Sequence, residues 1–184
     1  MQATVIITIL FLAIFIIFSF WYAIDVIISQ FKHMPPMVPS SHRLRNAVIS
    51  EINKNFSQMR TVLDVGSCYG GMARRIANEC PNKDVTAVEK MLHPVMISRM
   101  WNLFTHKHYK TIWGDAFEYI KKSDGFDIGI SYLLPPVMGK LEAMRNKFKA
   151  LIVLDFPLPN AKYTRKIELH HDLLGKHLMF VYEN

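Results

Sequence analysis

Residues 61–71 read TVLDVGSCYGG. A short β-rich run, a turn of small residues and the start of a helical pattern follow one another there. That order places a strand, a glycine turn and a helix N-terminus in succession, the geometry in which a ligand approaches backbone N–H groups. Strand-like runs recur at DVTAV (84–88), YKTIW (109–113), FDIGIS (126–131) and ALIVLD (150–155). Between them the apolar residues recur at helical spacing, as in Met72, Ala73, Ile76, Ala77 and Cys80, and in Met96, Ile97, Met100, Leu103 and Phe104 behind a helix-starting Pro94. Strand alternating with helix predicts a parallel sheet covered on both faces. The tail differs, because KYTRKIEL (162–169) and HLMFVY (177–182) flank a turn containing Gly175, the pattern of an antiparallel hairpin. The expected fold is α/β, a Rossmann-like, doubly wound, mostly parallel seven-stranded sheet closed by a C-terminal hairpin.

Upstream of this pattern no charged side chain occurs from Ala3 to Ile24. An apolar helix from about Ala3 to Ile28 reaches roughly 39 Å, enough to cross a bilayer core of ~30 Å with some tilt. A cleaved signal peptide has a basic start, a shorter apolar region and a small-residue cleavage site. Met1 and Gln2 are not basic, the apolar run is longer and no Ala-x-Ala follows, so a retained anchor over residues 1–31 is expected. Trp21 and Tyr22 suit an interfacial belt, and Lys32, Arg43 and Arg45 follow the span while nothing basic precedes it. These flanks predict an N-terminus outside and a folded domain on the cytoplasmic, or mitochondrial matrix, face. The three prolines of HMPPMVPSS (33–41) make residues 32–41 an extended connector. Ser40 or Ser41 then caps a helix from His42 to Phe56 in which Leu44, Val48, Ile52 and Phe56, with Ala47 beside them, share one face. Residues 42–184 form the remaining domain.

The 184 residues are 51% hydrophobic, which excludes a disordered or collagenous chain. Residues 1–31 hold one acidic residue, Asp25, and no basic one, leaving 22 basic against 14 acidic side chains, or +8, for the rest. No basic stripe interleaved with aromatics stands out, so no nucleic-acid partner is expected; lysines and arginines beside anionic lipid are the simpler reading. Cys68 and Cys80 stand twelve positions apart without a His or Cys at metal-ligand spacing, which supports reduced thiols rather than zinc or a disulfide. Adjacent strand residues face opposite ways, so His170 and His171 do not share a metal, and no metal site is expected.

The chemistry gathers at the strand ends. Asp64 precedes the glycine turn, where a carboxylate fixes an amine or anchors the loop. Glu89 ends the second strand, twenty-five residues on, where an acidic residue of doubly wound folds hydrogen-bonds ribose hydroxyls. Gly114 and Asp115 end the third strand. Three acidic strand ends beside such a loop point to nucleotide binding. The plainer alternatives are that Gly66 and Gly70 permit positive φ, that Asp115 caps the next helix and that Glu89 is a solvated strand end.

DVGSCYGG, Glu89 and GDAF (114–117) resemble the cofactor motifs of class I S-adenosylmethionine methyltransferases, whose seventh strand runs antiparallel. The apolar leader, MVPS (37–40), LHPVMISRMW (92–101), FPLP (156–159) and FVY (180–182) are similar to the membrane-anchored mitochondrial protein-lysine methyltransferases that act on the ATP synthase c subunit and the adenine nucleotide carrier. That family usually has an acidic residue followed by Gly-Arg where this chain has Tyr69, Gly70 and Gly71, and Asn where it has His93. The resemblance implies that S-adenosylmethionine is the cofactor, with Asp64, Gly66, Ser67 and Gly70 at its methionine end. It places Glu89 on the ribose, Asp115 with Ala116 at the adenine, and Val38, Pro39 and Ser40 as a lid. It also implies a lysine side chain of a membrane protein as acceptor. Ser131, Tyr132 and Pro135, in SYLLPP (131–136), are the candidates for the acceptor side, with no residue singled out as a base. A lipid or quinone acceptor, or a cofactor-binding module without activity, are the alternatives.

Overall fold

The computed structural model describes residues 2–31, 40–104, 109–172 and 175–184. The chain divides into two compact units, Met1–Pro36 and Met37–Asn184. The first holds one helix, α1 (Gln2–Phe31). Its stretch Thr4–Ile24 is long and apolar enough to cross a membrane, and none of it is buried.

The second unit runs α2 (His42–Asn55), β1 (Thr61–Val65), α3 (Gly71–Glu79), β2 (Asp84–Glu89), α4 (Leu92–Asn102), β3 (Lys110–Trp113), α5 (Ala116–Lys122), β4 (Phe126–Ser131), α6 (Pro135–Ala143), β5 (Phe148–Leu154), β6 (Arg165–Asp172) and β7 (Gly175–Glu183). These strands form one seven-stranded sheet in the order β3-β2-β1-β4-β5-β7-β6. The first five are parallel. β7 inserts antiparallel between β5 and β6, so the expected doubly wound sheet with its terminal hairpin is what forms.

The central strands alternate between two cores, as a sheet covered on both sides requires. Val62, Ile128, Ile130, Ile152 and Val181 pack with Leu44, Val48 and Ile52 of α2 and Ala73 and Ile76 of α3. Leu63, Val65, Leu151, Val153 and Phe180 pack with Ile120 of α5 and Met138 and Leu141 of α6. Ser41 is the cap of α2, its hydroxyl accepting from the Leu44 N–H at 3.2 Å. Pro94 sits in the first turn of α4, where a missing N–H costs no helical bond.

Several strand ends depart from the sequence reading: β5 begins at Phe148 rather than 150, β6 runs from Arg165 to Asp172 rather than 162–169, and Gly175 opens β7 rather than lying in the turn; two further ends have a local reason. β3 starts at Lys110 because Asn102 takes both backbone groups of Tyr109: the Tyr109 N–H donates to Asn102 Oδ1 (3.2 Å) and its carbonyl accepts from Nδ2 (2.7 Å). β5 stops at Leu154 because Asp155 adopts φ 62°, outside the strand region. Its carboxylate instead accepts the Leu178 N–H (3.0 Å) and pairs with His177 Nδ1 at 2.8 Å.

At the edge where β1 and β4 begin, Asp127 Oδ2 accepts the N–H groups of Arg60 (2.8 Å) and Thr61 (2.9 Å), and Oδ1 pairs with Lys149 at 2.6 Å. The Lys149 ammonium, then these backbone donors, holds the carboxyl well below the ordinary carboxylate range. A depressed folded value stabilises the fold above the unfolded pKa of ~3.9, and that contribution is lost as pH falls toward the folded value. Asp127→Ala is therefore expected to lower stability at neutral pH by about 2 kcal/mol. Melting of both proteins followed by circular dichroism checks this, with the gap expected to narrow below pH ~4.

Candidate active site

The C-terminal edge of the parallel strands brings the acidic strand ends together, and the loop after β1 explains how. The Gly66 and Ser67 N–H groups both donate to the Val88 carbonyl at 3.0 Å, and the Gly70 N–H donates to the Ser67 carbonyl at 2.9 Å. Residues 66, 68 and 70 all have positive φ, at 73°, 50° and 72°. Glycine takes this conformation without strain, whereas Cys68 holds it at a cost of order 1–3 kcal/mol that its surroundings must offset. Gly70 also needs its missing side chain, since a Cβ there would run into the hydroxyls of Ser98 and Tyr109. At Gly66 a Cβ would lie 2.7 Å from Leu133 Cδ2.

Glu89 does what holds Cys68 in place. It is 8% exposed, and its Oε2 accepts the Cys68 N–H while Oε1 accepts the Met91 N–H, both at 2.9 Å. It is thus a buried clamp between the β1 loop and the start of α4, not a solvated strand end. Each carboxylate oxygen keeps a second lone-pair site for a hydroxyl donor.

Asp64 Oδ2 accepts the Ala73 N–H of α3 at 3.2 Å. Burial raises the Asp64 carboxyl to about 7; the Ala73 N–H opposes the rise and the nearby Glu89 charge adds to it. Such a group is half neutral near pH 7 and ionises fully when a cation arrives beside it. Asp115 caps α5 through Oδ1, which accepts from Phe117 (2.9 Å) and Glu118 (3.4 Å), while Oδ2 pairs with Lys90 at 3.2 Å. Ala116 opens α5 directly behind it.

A narrow cavity at this edge is lined by Ser40, Asp64, Gly66, Ser67, Cys68, Met72, Ile130 and Tyr132. The structure therefore gathers Asp64, Gly66, Ser67, Ser40 and Tyr132 around one cavity and joins Glu89 to its lining through Cys68. Gly70 faces Ser98 and Tyr109, and Pro135 begins α6. Val38 and Pro39 lie outside the described residues. The hydroxyls of Ser67 and Ser131 are buried without a hydrogen-bond partner among the described residues, a state that asks for a ligand or water. Cys68, Met72 and Ile130 were not among the site residues expected from sequence, although Cys68 lies inside the DVGSCYGG run. Burial pushes the Cys68 thiol up to about 12, with Glu89 and Asp64 adding to the rise against the Tyr69 N–H, so it is no nucleophile. No cluster of metal-ligating side chains occurs among the described residues. A more open depression beside Arg60, Ala77, Asn82, Lys83 and Asp84 lies at the opposite edge of the sheet. Its Lys83 ammonium is already spent on the carbonyls of Phe56, Ser57 and Met59.

No protein-family model matches the chain, and no curated protein matches it. Solved structures do. An RNA methyltransferase from Salinibacter ruber, in complex with S-adenosyl-L-homocysteine, superposes with a TM-score of 0.64 at 18% identity, over 79% of this chain and 93% of that one. TrmK of M. capricolum, also bound to S-adenosyl-homocysteine, gives 0.60 at 13% identity, over 79% and 69%. The bifunctional kinase-methyltransferase WbdD gives 0.64 at 17% identity; this chain spans 40% of its length. The fold is that of the class I methyltransferases. Within that fold the edge bearing Asp64, Glu89 and Asp115 is the C-terminal edge of the parallel strands, where open α/β sheets bind ligands.

A raised carboxyl value makes its own test. Between the unfolded value of ~3.9 and the folded value of about 7, the native state holds a proton that the unfolded state has lost, so stability falls as pH rises through this window. Asp64→Asn keeps an acceptor for Ala73 and removes the buried charge. Its melting temperature is expected to exceed that of the parent above pH ~7 and to converge with it below pH ~4; a lower melting temperature at pH 8 would show that Asp64 serves stability instead.

Proposed function

We propose that this chain is an S-adenosylmethionine-dependent methyltransferase, anchored in a membrane by α1 with its N-terminus outside, that methylates a lysine side chain of a membrane protein on the cytoplasmic or matrix face. The observation that carries the reading is the acidic edge itself: Asp64 near the end of β1, Glu89 at the end of β2 and Asp115 just after β3 stand along three neighbouring parallel strands of a methyltransferase fold. The fit of the cofactor rests on two features of the cavity wall. Ser67 presents a buried hydroxyl without a partner among the described residues, and Asp64 is a carboxyl that gains most from a cation.

S-adenosylmethionine, when bound, supplies a methyl group on a positively charged sulfur and leaves as S-adenosylhomocysteine. Asp64 would face the ammonium of its methionine end with Gly66 and Ser67 beside it, Glu89 would accept the ribose hydroxyls, and Asp115 with Ala116 would flank the adenine. The acceptor amine must arrive neutral, although a free lysine has pKa ~10.4. Met72, Ile130 and the ring of Tyr132 offer an apolar wall that disfavours the ammonium form. Ser131, Tyr132 and Pro135 mark the acceptor side, and Ser40, with Val38 and Pro39 before it, the lid. The acceptor ammonium would give up one proton to water before transfer, and positioning and desolvation by these residues supply most of the gain. The anchor raises the local concentration of membrane substrates without any new contact.

An RNA acceptor is the second reading, favoured by the RNA methyltransferase among the similar structures and by the +8 charge of residues 32–184. Incubation of the full chain with radiolabelled S-adenosylmethionine and membranes of its source separates the readings. Label in methyl-lysine of a small membrane protein, absent with Asp64→Ala, is the expected result. Label in solvent extract would move the acceptor to a lipid or quinone and label in RNA to RNA, while cofactor binding without label would mark an inactive module.

A further inference from the structure

The outer side of α4 carries large apolar side chains that no described element covers. Met96 and Met100 stand one turn apart, Trp101 lies beside them, and Leu103 and Phe104 follow in the next turn. They are 43–78% exposed. The helix is held to the domain by His93, Pro94, Val95 and Ser98, which are buried. A contiguous apolar surface of this kind marks a contact site.

The rim of this surface is basic. Arg74 of α3 lies over the Trp101 ring, 5.4 Å from its centroid. Arg45 of α2 sits close enough to Arg74 and Arg75 that their charges, after burial, hold its guanidinium below the usual value. Of these three, Arg75 is paired with Glu79 at 2.5 Å. Arg99 of α4 donates to the Thr111 carbonyl rather than to a carboxylate. Among the described residues no carboxylate pairs with Arg45, Arg74 or Arg99, and Arg45 Nε donates to the carbonyl of Ser41, the cap of α2. From Phe31 to Ser40 the chain spans at most ~32 Å even when fully extended.

We propose that the outer side of α4, with Met96, Met100, Trp101, Leu103 and Phe104 inside a rim of Arg45, Arg74 and Arg99, is a second membrane contact that lies on an anionic lipid bilayer. The inference rests on the reading of α1 as a span, which holds the domain within reach of such a surface. The chemistry fits lipid on both counts. Aromatic and aliphatic side chains enter the boundary between headgroups and acyl chains, and the arginines meet the phosphates. Tethering lets a contact too weak to bind from solution stay occupied.

Trp101 makes the test direct, because Trp21→Phe and Trp113→Phe leave it as the single tryptophan of the full chain. That protein is reconstituted into phosphatidylcholine vesicles, with or without phosphatidylglycerol, whose acyl chains are brominated or not. Carbonate-resistant flotation reports α1, and bromine quenching of Trp101 reports the surface. Flotation in both lipids is expected, with strong quenching in the anionic vesicles. Met100→Glu with Phe104→Glu, or Arg45→Gln with Arg74→Gln, should cut that quenching by more than half while circular dichroism melting shows the fold intact. Flotation without quenching would overturn the surface and leave the anchor standing. Loss of carbonate-resistant flotation refutes the anchor, and the proposal with it. An unquenched, blue-shifted Trp101 in particles of twice the mass assigns the face to a second copy of the chain and overturns the proposal too.

Discussion

The Glu89 carboxylate accepts the Cys68 N–H with one oxygen and the Met91 N–H with the other, and the C-terminal edge of the sheet is assembled around those two bonds. A buried carboxylate is costly unless its charge is met by donors, and charge-assisted bonds to backbone N–H groups are among the stronger ones available. The neighbouring residues extend the same junction. Val88 receives the Gly66 and Ser67 N–H groups, and the Glu89 carbonyl receives that of Gly114. Lys90 pairs with Asp115 and its carbonyl accepts from Trp113 Nε1 at 3.0 Å. The turns after β1, β2 and β3 thus all hang from residues 88–91, and the strained backbone of Cys68 is held by the same carboxylate.

This construction has an electrostatic consequence. Glu89 and Asp64 share a desolvated edge; burial raises the Asp64 carboxyl, and the negative charge of Glu89 adds to the rise. The edge is therefore short of positive charge, and Lys90, its nearest cation in the hydrogen-bond network, is spent on Asp115. A ligand with cationic and hydroxyl groups completes such an edge, which is the property that ties the fold to the proposed cofactor. The arginines of α2, α3 and α4 form a separate basic group, of which Arg45 stands near Arg74 and Arg75.

Most of the architecture was legible because alternating strand and helix periods leave few topologies. The GxCxG turn, the capping serine and the C-terminal hairpin each carry local chemistry that the sequence displays. What escaped depended on contacts between distant residues. Nothing near Tyr109 announces that Asn102 will take its backbone bonds, and nothing near Asp155 announces that His177 and Leu178 will draw it out of β5. Glu89 was recognisable as an acidic strand end, but its role as a clamp needs the position of Cys68, twenty-one residues earlier. For Asp115 the sequence allowed both a cap and a ligand contact, and the structure places its carboxylate on the N–H groups of α5 and on Lys90. Val38 and Pro39 lie outside the described residues.

The claim on which the account turns is that the edge held by Glu89 binds a nucleoside bearing an amino-acid tail. Calorimetric titration of the full chain in detergent with S-adenosylhomocysteine, parent against Glu89→Ala, measures it most directly. The account predicts saturable binding by the parent and a loss on the order of 100-fold in the variant, or ~2.7 kcal/mol. Absence of binding by the parent, or equal affinity in the two proteins, would contradict it.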